Sequence, residues 1–443
     1  MLAEPSVLEP VEVEPTPTLV SEESAAEKTA KIGQSPPEKG QDVDVSTTDE
    51  DIWSAEFPDG GARAWLVVFG VGFFFLTSRS WFELLTLIQG ACTTFSTTLY
   101  ASSQHWSAAI SSIEVNFASL ESKRVPFITA SAIVVLATFL VAQCTKYWHF
   151  VLCQGIVTGM AAGVAYGPMV AVVGHWFQKR RGIANGLVAT GSSVGGTLFP
   201  IIARNLIPRV GFPWTLRIMA FILLVTLTLA NICVRRRLPP KHVPGGLLNL
   251  AAFKNPAYTL YCISGVVIFL GLYTVLTYID VSATSVGISP DFSFYLISMA
   301  NGASLFGRLM AGTVADRIGA VNIILPFSGV AAVMTFVWPL AHSKGAFVAI
   351  AIIYGFSSGA FVSSFLLPMF YLGEVADVGR RSGMAQTLTA IGALAGPPIS
   401  GAINTASGGY HAVGYYAGSV ILVAIVLILI TRHMVLGKLW GKF

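Results

Sequence analysis

The sequence predicts an all-α protein that crosses a membrane about twelve times, as two sets of six helices. Three observations predict it. The chain is 54% hydrophobic and 11% charged, with mean hydropathy +0.68, outside the range of soluble domains. Apolar stretches of about 20 residues recur along it, the length a helix needs to cross a bilayer. Cationic clusters punctuate these stretches two at a time, as the positive-inside rule requires of a protein threading back and forth.

The first 60 residues stand apart. They carry 15 of the 23 acidic residues and only Lys28, Lys31 and Lys39, a net charge of −12, while the remaining body carries +16. Rich in Glu, Pro, Ser and Thr, residues 1–60 read as a disordered acidic tail. No apolar stretch with a basic flank opens the chain, so the first membrane helix is expected to serve as its own insertion signal. The five cysteines (92, 144, 153, 233 and 262) lie in or beside apolar stretches without ligand spacing. They read as small buried hydrophobes, and neither a metal nor a cofactor is expected.

In order, apolar stretches cover 65–77, 84–101, 126–143, 148–173, 183–207 and 214–234, then 257–279, 292–314, 323–341, 346–372, 385–404 and 413–430. The start is ambiguous. Either 65–77 and 84–101 are the first two crossings, or the first helix runs on past Arg79 and Glu83 and 105–120 forms the second. Basic clusters at Lys123-Arg124, Lys179-Arg180-Arg181, 235–237 with Lys241, Arg317, Arg380-Arg381 and Arg432 with Lys438 mark one side. That side is read as cytoplasmic, with both termini on it. The expected organisation is therefore a tail over 1–60, a first six-helix half over 61–234 with a degenerate second helix, a basic linker over 235–255, a second half over 256–431 and a short tail over 432–443.

One stretch, 304–320, is unusual. Gly307 and Gly312 permit close helix approach. Arg308 is a cation inside an apolar segment, which is costly and so calls for a function or a partner. Asp316 and Arg317 form a charged turn, and the acid adds nothing to a positive-inside signal. Other polar residues within apolar segments are Gln154, Asn185, Asn301, Gln386 and Asn404, with several tyrosines. Any of them can simply bond a neighbouring helix; Asn301, Gln154, Tyr166 and Tyr278 are the candidates for lining a central cavity. Pro168, Pro200, Pro368, Pro397 and Pro398 are expected to bend their helices.

Several motifs resemble the major facilitator superfamily, specifically its monocarboxylate-transporter-like fungal branch. They are Asp59-Gly60-Gly61 with Trp65, the run from Trp176 through Lys179-Arg180-Arg181 to Gly186 followed by Gly191-Ser192 and Gly195-Gly196, and Gly307-Arg308 through Asp316-Arg317 and Gly319. The resemblance covers about 57–435. It departs from the pattern between the second and third helices, where the charged turn is replaced by Glu121-Ser122-Lys123-Arg124.

The resemblance implies the major facilitator fold and two halves rocking about a midplane site. It implies that Arg308 binds a substrate carboxylate, and that Asp316-Arg317 with Lys179, Arg180 and Arg181 form a latch between the halves. The acid that accompanies the arginine in the family is absent here, where Ser304 and Asn301 occupy that face.

The function that the resemblance implies is secondary active transport of a small organic anion or metabolite across the plasma membrane, as efflux or permeation of a secondary metabolite of a fungal biosynthetic pathway. Proton-linked uptake of a monocarboxylate or vitamin is the alternative. An enzyme is not expected, for want of a catalytic set at membrane depth. A non-transporting sensor would have only the short tail as output. Expected partners are the organic substrate, protons and lipid, with no nucleic acid.

Overall fold

A computed structural model describes residues 58–89, 125–235, 237, 249–373, 378–438 and 441–442. The acidic tail, residues 90–124, most of the basic linker, and Glu374 with Asp377 lie outside the described residues. All those described belong to a single compact unit, Ile52–Phe443, and among them every regular element is a helix.

Helix α1 (Ala62–Gln89) runs unbroken past positions 79 and 83. Of the two readings of the start, the structure follows the longer first helix; the second segment that this reading needs, 105–120, lies outside the described residues. Helix α2 spans Val125–Val141. A single turn at Tyr147–Phe150 and a π-helical stretch at Val151–Thr158 lead into α3, Gly159–Trp176. The Thr158 hydroxyl donates to the carbonyl of Cys153, following the wider π spacing.

Helix α4 (Arg181–Cys233) comprises two arms with a sharp break at Gly211, whose φ of 77° and ψ of 164° only glycine adopts easily. Two crossings were expected there, over 183–207 and 214–234. The expected bend at Pro200 is not the break: that proline stays within the first arm. Pro397 and Pro398 likewise lie inside a helix, since neighbouring groups can satisfy the freed carbonyls in a membrane bundle.

The second group begins with α5 (Pro256–Leu272), started by Asn255, whose side chain accepts from the Ala257 amide, and by a proline at the first turn. Helices α6 (Thr274–Ser285), α7 (Pro290–Ile318), α8 (Val321–Val337), α9 (Lys344–Ser364), α10 (Val378–Ser407) and α11 (Tyr410–Leu436) follow. Helix α7 stops at Gly319, with φ of 96°, a conformation that favours glycine.

Two large apolar clusters form the interior. One draws on 64–234 and the other on 257–428. Outside them the surface is apolar too: Phe69, Leu136, Phe221, Val225, Ile232, Phe306 and Val426 are all more than half exposed. In water such a surface would aggregate; in a bilayer it faces a solvent as apolar as itself. Among the described residues, five helical stretches are long and apolar enough to cross a membrane by length and composition: Arg181–Cys233, Pro256–Ser285, Val321–Leu340, Lys344–Phe370 and Tyr410–Leu436.

Candidate functional site

The two helix groups meet where the first arm of α4 packs along α7 in antiparallel register. Small residues make the close approach possible. A Cβ on Gly186 would lie 2.9 Å from the Arg308 carbonyl oxygen and 3.1 Å from the Cα of Gly312, and one on Gly182 would lie 2.6 Å from the Asp316 carboxylate. Gly312 therefore serves the approach to α4, whereas Gly307 serves the approach to α9 at Phe356.

Polar contacts follow the same register from end to end. At one end the Asp316 carboxylate accepts from the amides of Gly182 (2.7 Å) and Ile183 (3.0 Å). Those amides belong to the first turn of α4, whose donors have no partner within the helix, and the helix dipole favours an anion there. One to two turns further along, Arg308 donates to the Ala189 carbonyl (2.9 Å) and to the Ser192 hydroxyl. Next, the hydroxyls of Ser193 and Ser304 share a hydrogen bond of 2.7 Å, Asn301 donates to the Gly196 carbonyl (3.3 Å), and Thr197 reaches the Ser298 carbonyl (3.4 Å). At the far end Arg204 pairs with Asp291, and its guanidinium lies 4.7 Å from the ring centre of Phe294 and 5.3 Å from that of Tyr295.

Arg308 is only 6% exposed and Asn301 7%, so both lie inside the contact between the groups. Burying a guanidinium at membrane depth is costly, and the carbonyl and hydroxyl of α4 offset part of that cost. A cavity of about 290 Å³ opens beside the Arg204 end, lined among others by Arg204, Asp280, Thr284, Ser293 and Phe294.

The amides ahead of α4 are also occupied. Asp59 accepts from three successive ones, Gln178 (2.7 Å), Lys179 (2.8 Å) and Arg180 (3.3 Å). Its own amide donates to the Trp176 carbonyl, and Trp65 lies against Phe177 with ring centres 5.1 Å apart. Asp59 has φ of 44°, alone among the described non-glycine residues in the left-handed region, which Asp tolerates better than most. Two carboxylates, Asp59 from the first group and Asp316 from the second, thus hold five amides between 178 and 183.

The structure does not gather all the expected site residues. Arg308, Asn301 and Asp316 share the α4–α7 contact. Lys179 and Arg180 contribute backbone amides to Asp59. Arg181 donates to the Phe177 carbonyl and lies 4.7 Å from the ring centre of Phe370, on the second group. Across the groups Asp316 meets the helix-start amides of α4, and Arg317 is exposed. Tyr278 is bonded to the Pro397 carbonyl within the second group (2.8 Å). Gln154 is 1% exposed in the π-helical stretch, and its Oε1 has no hydrogen-bond partner among the described residues. Tyr166 belongs to α3 by its backbone, and its side chain is outside the described residues.

Reading the sequence left Asp59 without a role, though its motif was noted. Ser192 was likewise noted only within its motif, and nothing in the sequence pointed to Ser193 or to the Arg204–Asp291 pair. A carboxylate preceding two glycines at a helix start signals a cap, but its partners lie about 120 positions away and no local pattern points to them.

Comparison with known proteins decides the family. The model of the Major Facilitator Superfamily matches residues 106–373. "MFS-type transporter 1" of Ophiocordyceps sp. is 33% identical over 405 residues, covering 88% of this chain and 90% of that one. The chain belongs to the Major Facilitator Superfamily. A fujikurins efflux protein of Gibberella fujikuroi is 34% identical to this superfamily member over 86% of its length and 85% of its own, and an aspyridones efflux protein of Emericella nidulans is 31% identical over 83% and 77%.

Among solved structures, the human organic anion transporter MFSD10 has a TM-score of 0.66 at 13% identity, covering 83% of this chain and all of that one. The Escherichia coli fucose:proton symporter has 0.64 at 13%, covering 83% and 98%. These share the fold. The protein is a multi-pass membrane transporter built on the major facilitator fold.

Proposed function

We propose that this transporter exports a small organic anion or metabolite from the cytoplasm across the plasma membrane by alternating access. The observation that carries this reading is the α4–α7 contact. The Asp316 carboxylate on two amides of α4 is a contact between the groups that can break without leaving either side unsolvated, because both lie near the membrane edge. Arg308 sits deeper in the same contact, where parting of the helices would uncover a guanidinium to a carboxylate or enolate. Asp316, with the amides of α4 and Arg181 on Phe370, is then the latch on the cytoplasmic side. That side is assigned from the basic clusters, which also place both termini there. Residues 61–234 and 256–431 act as the two rocking halves, joined by the basic linker.

Export is favoured by relatives named for efflux of fungal metabolites, the aspyridones and fujikurins proteins. The Asp59-Gly60-Gly61 and Trp176-to-Gly186 motifs support a place in the monocarboxylate-transporter-like branch. Asn301 and Gln154 join Arg308 as candidate substrate contacts, with Tyr166 and Tyr278 as further candidates.

The test is transport of a panel of radiolabelled carboxylic and enolic acids in membrane vesicles of both orientations. Export predicts accumulation in inside-out vesicles. Arg308→Gln is expected to reduce it at least tenfold, the factor that about 1.4 kcal/mol makes, with partial recovery in Arg308→Lys. Undiminished transport by Arg308→Gln removes the anion-binding role. Accumulation confined to right-side-out vesicles reverses the direction to uptake.

A further inference from the structure

The last described residues of the chain return to the turn that carries Asp316. The Lys442 ammonium donates to the Asp316 carbonyl oxygen at 2.8 Å. Asn322, at the start of α8, donates both to the Ile318 carbonyl (2.5 Å) and to the Gly441 carbonyl (2.9 Å). Arg432, near the end of α11 and only 2% exposed, donates to the Gly441 carbonyl (3.0 Å) and to the Asn322 side-chain oxygen (2.6 Å). These contacts have one chemical sense. The carbonyls of Asp316 and Ile318 are among the last of α7, where no helical donor remains, and a cation at a helix C-terminus is favoured by the dipole.

Asp316 is therefore held at both ends: its carboxylate by α4 of the first group, its carbonyl by Lys442 of the second. We infer that Lys442, fixed by Arg432 and Asn322 through Gly441, is a positioning residue for the latch, so that this C-terminal segment sets how readily the cytoplasmic side opens. The inference rests on the latch reading of Asp316. With Lys442 in place the end of α7 is tied to α8 and α11, and the Asp316 side chain is presented to Gly182 and Ile183. With Lys442 removed the last turn of α7 loses that restraint, and the cytoplasmic-open state gains population.

The experiment needs no substrate. In full-length protein with its five native cysteines replaced by serine, Ser304→Cys places one thiol in the α4–α7 contact, where Ser304 is 4% exposed. Its labelling by a membrane-impermeant maleimide is timed from the cytoplasmic face in inside-out vesicles and from the outer face in right-side-out vesicles. Lys442→Met and Asn322→Ala are expected to speed cytoplasmic labelling at least about fivefold, the lower end of a typical coupling between sites, and to slow outer labelling. Lys442→Arg should restore the original rates. General loosening of the fold would raise both rates and would overturn the inference, as would unchanged rates in both variants. Asp316→Asn separates the two ideas. If it speeds cytoplasmic labelling and Lys442→Met does not, the positioning role falls and the latch stands; if neither does, the latch reading falls as well.

Discussion

Asp59 and Asp316 show how little charge pairing a membrane protein needs when backbone amides are available. Both carboxylates sit on free amides at and before the start of one helix, with Arg181 adding an electrostatic attraction to Asp59. The chain invests in Asp59 a left-handed backbone that Asp tolerates but few other residues do. Asp59→Ala leaves three amides to water and releases the start of α1 from the end of α3. It should lower stability by about 1–2 kcal/mol, the range for loss of a helix-terminal cap, seen as a lower midpoint in thermal unfolding of the detergent-solubilised protein. Asp59→Asn, which keeps an acceptor oxygen, should lose less. Asp316→Asn should leave that midpoint nearly unchanged, because the group lies in a contact proposed to open during transport.

At the scale of elements, the α4–α7 contact depends on glycines that no larger residue can replace. A valine at Gly312 would drive its side chain into the backbone at Gly182. Gly312→Val should cost on the order of 1–3 kcal/mol, as overpacking typically does, and should reduce the amount of folded protein recovered by size-exclusion chromatography. Gly72, whose added Cβ would meet nothing within 4 Å, is the tolerant control as Gly72→Ala.

Much of this level was legible in the sequence. Runs of apolar residues marked nearly every described helix, and Gly312 with Arg308 and Asp316 marked α7 as the organising one. A break was legible, since 183–207 and 214–234 read as separate crossings, but its exact place at Gly211 was not, because a glycine's backbone angle leaves no local signature. Nor was the continuation of α1 decided, since Arg79 and Glu83 interrupt an apolar run without stopping a helix. Partners were the least legible of all. The Ser193–Ser304 and Asp59–Lys179 contacts join positions more than a hundred residues apart, and only the folded chain shows them.

Across the whole molecule, the two ends of the α4–α7 contact differ in kind. The Asp316 end is built on glycine-to-backbone packing and helix-terminal amides. The Arg204 end rests on an ion pair whose Asp291 side chain is 92% exposed, with two aromatic rings beside the arginine. Exposed pairs contribute roughly 0–1 kcal/mol and weaken with salt, so Arg204→Ala should change the unfolding midpoint little. It should speed labelling of a cysteine at Ser298 from the outer face, and high salt should reproduce that effect in the unaltered chain. This asymmetry gives the proposed cycle a softer end at Arg204 and a firmer one at Asp316, which the proposed direction of export would use.

The central claim is that α4 and α7 part at the Asp316 end during the cycle. Double electron–electron resonance between spin labels at the exposed positions Gln178 and Thr313, in protein reconstituted in lipid nanodiscs, tests it most directly. The account predicts two distances, one for the closed contact described here and one longer, with Asp316→Asn shifting population to the longer. A single short distance that Asp316→Asn leaves unchanged would contradict it.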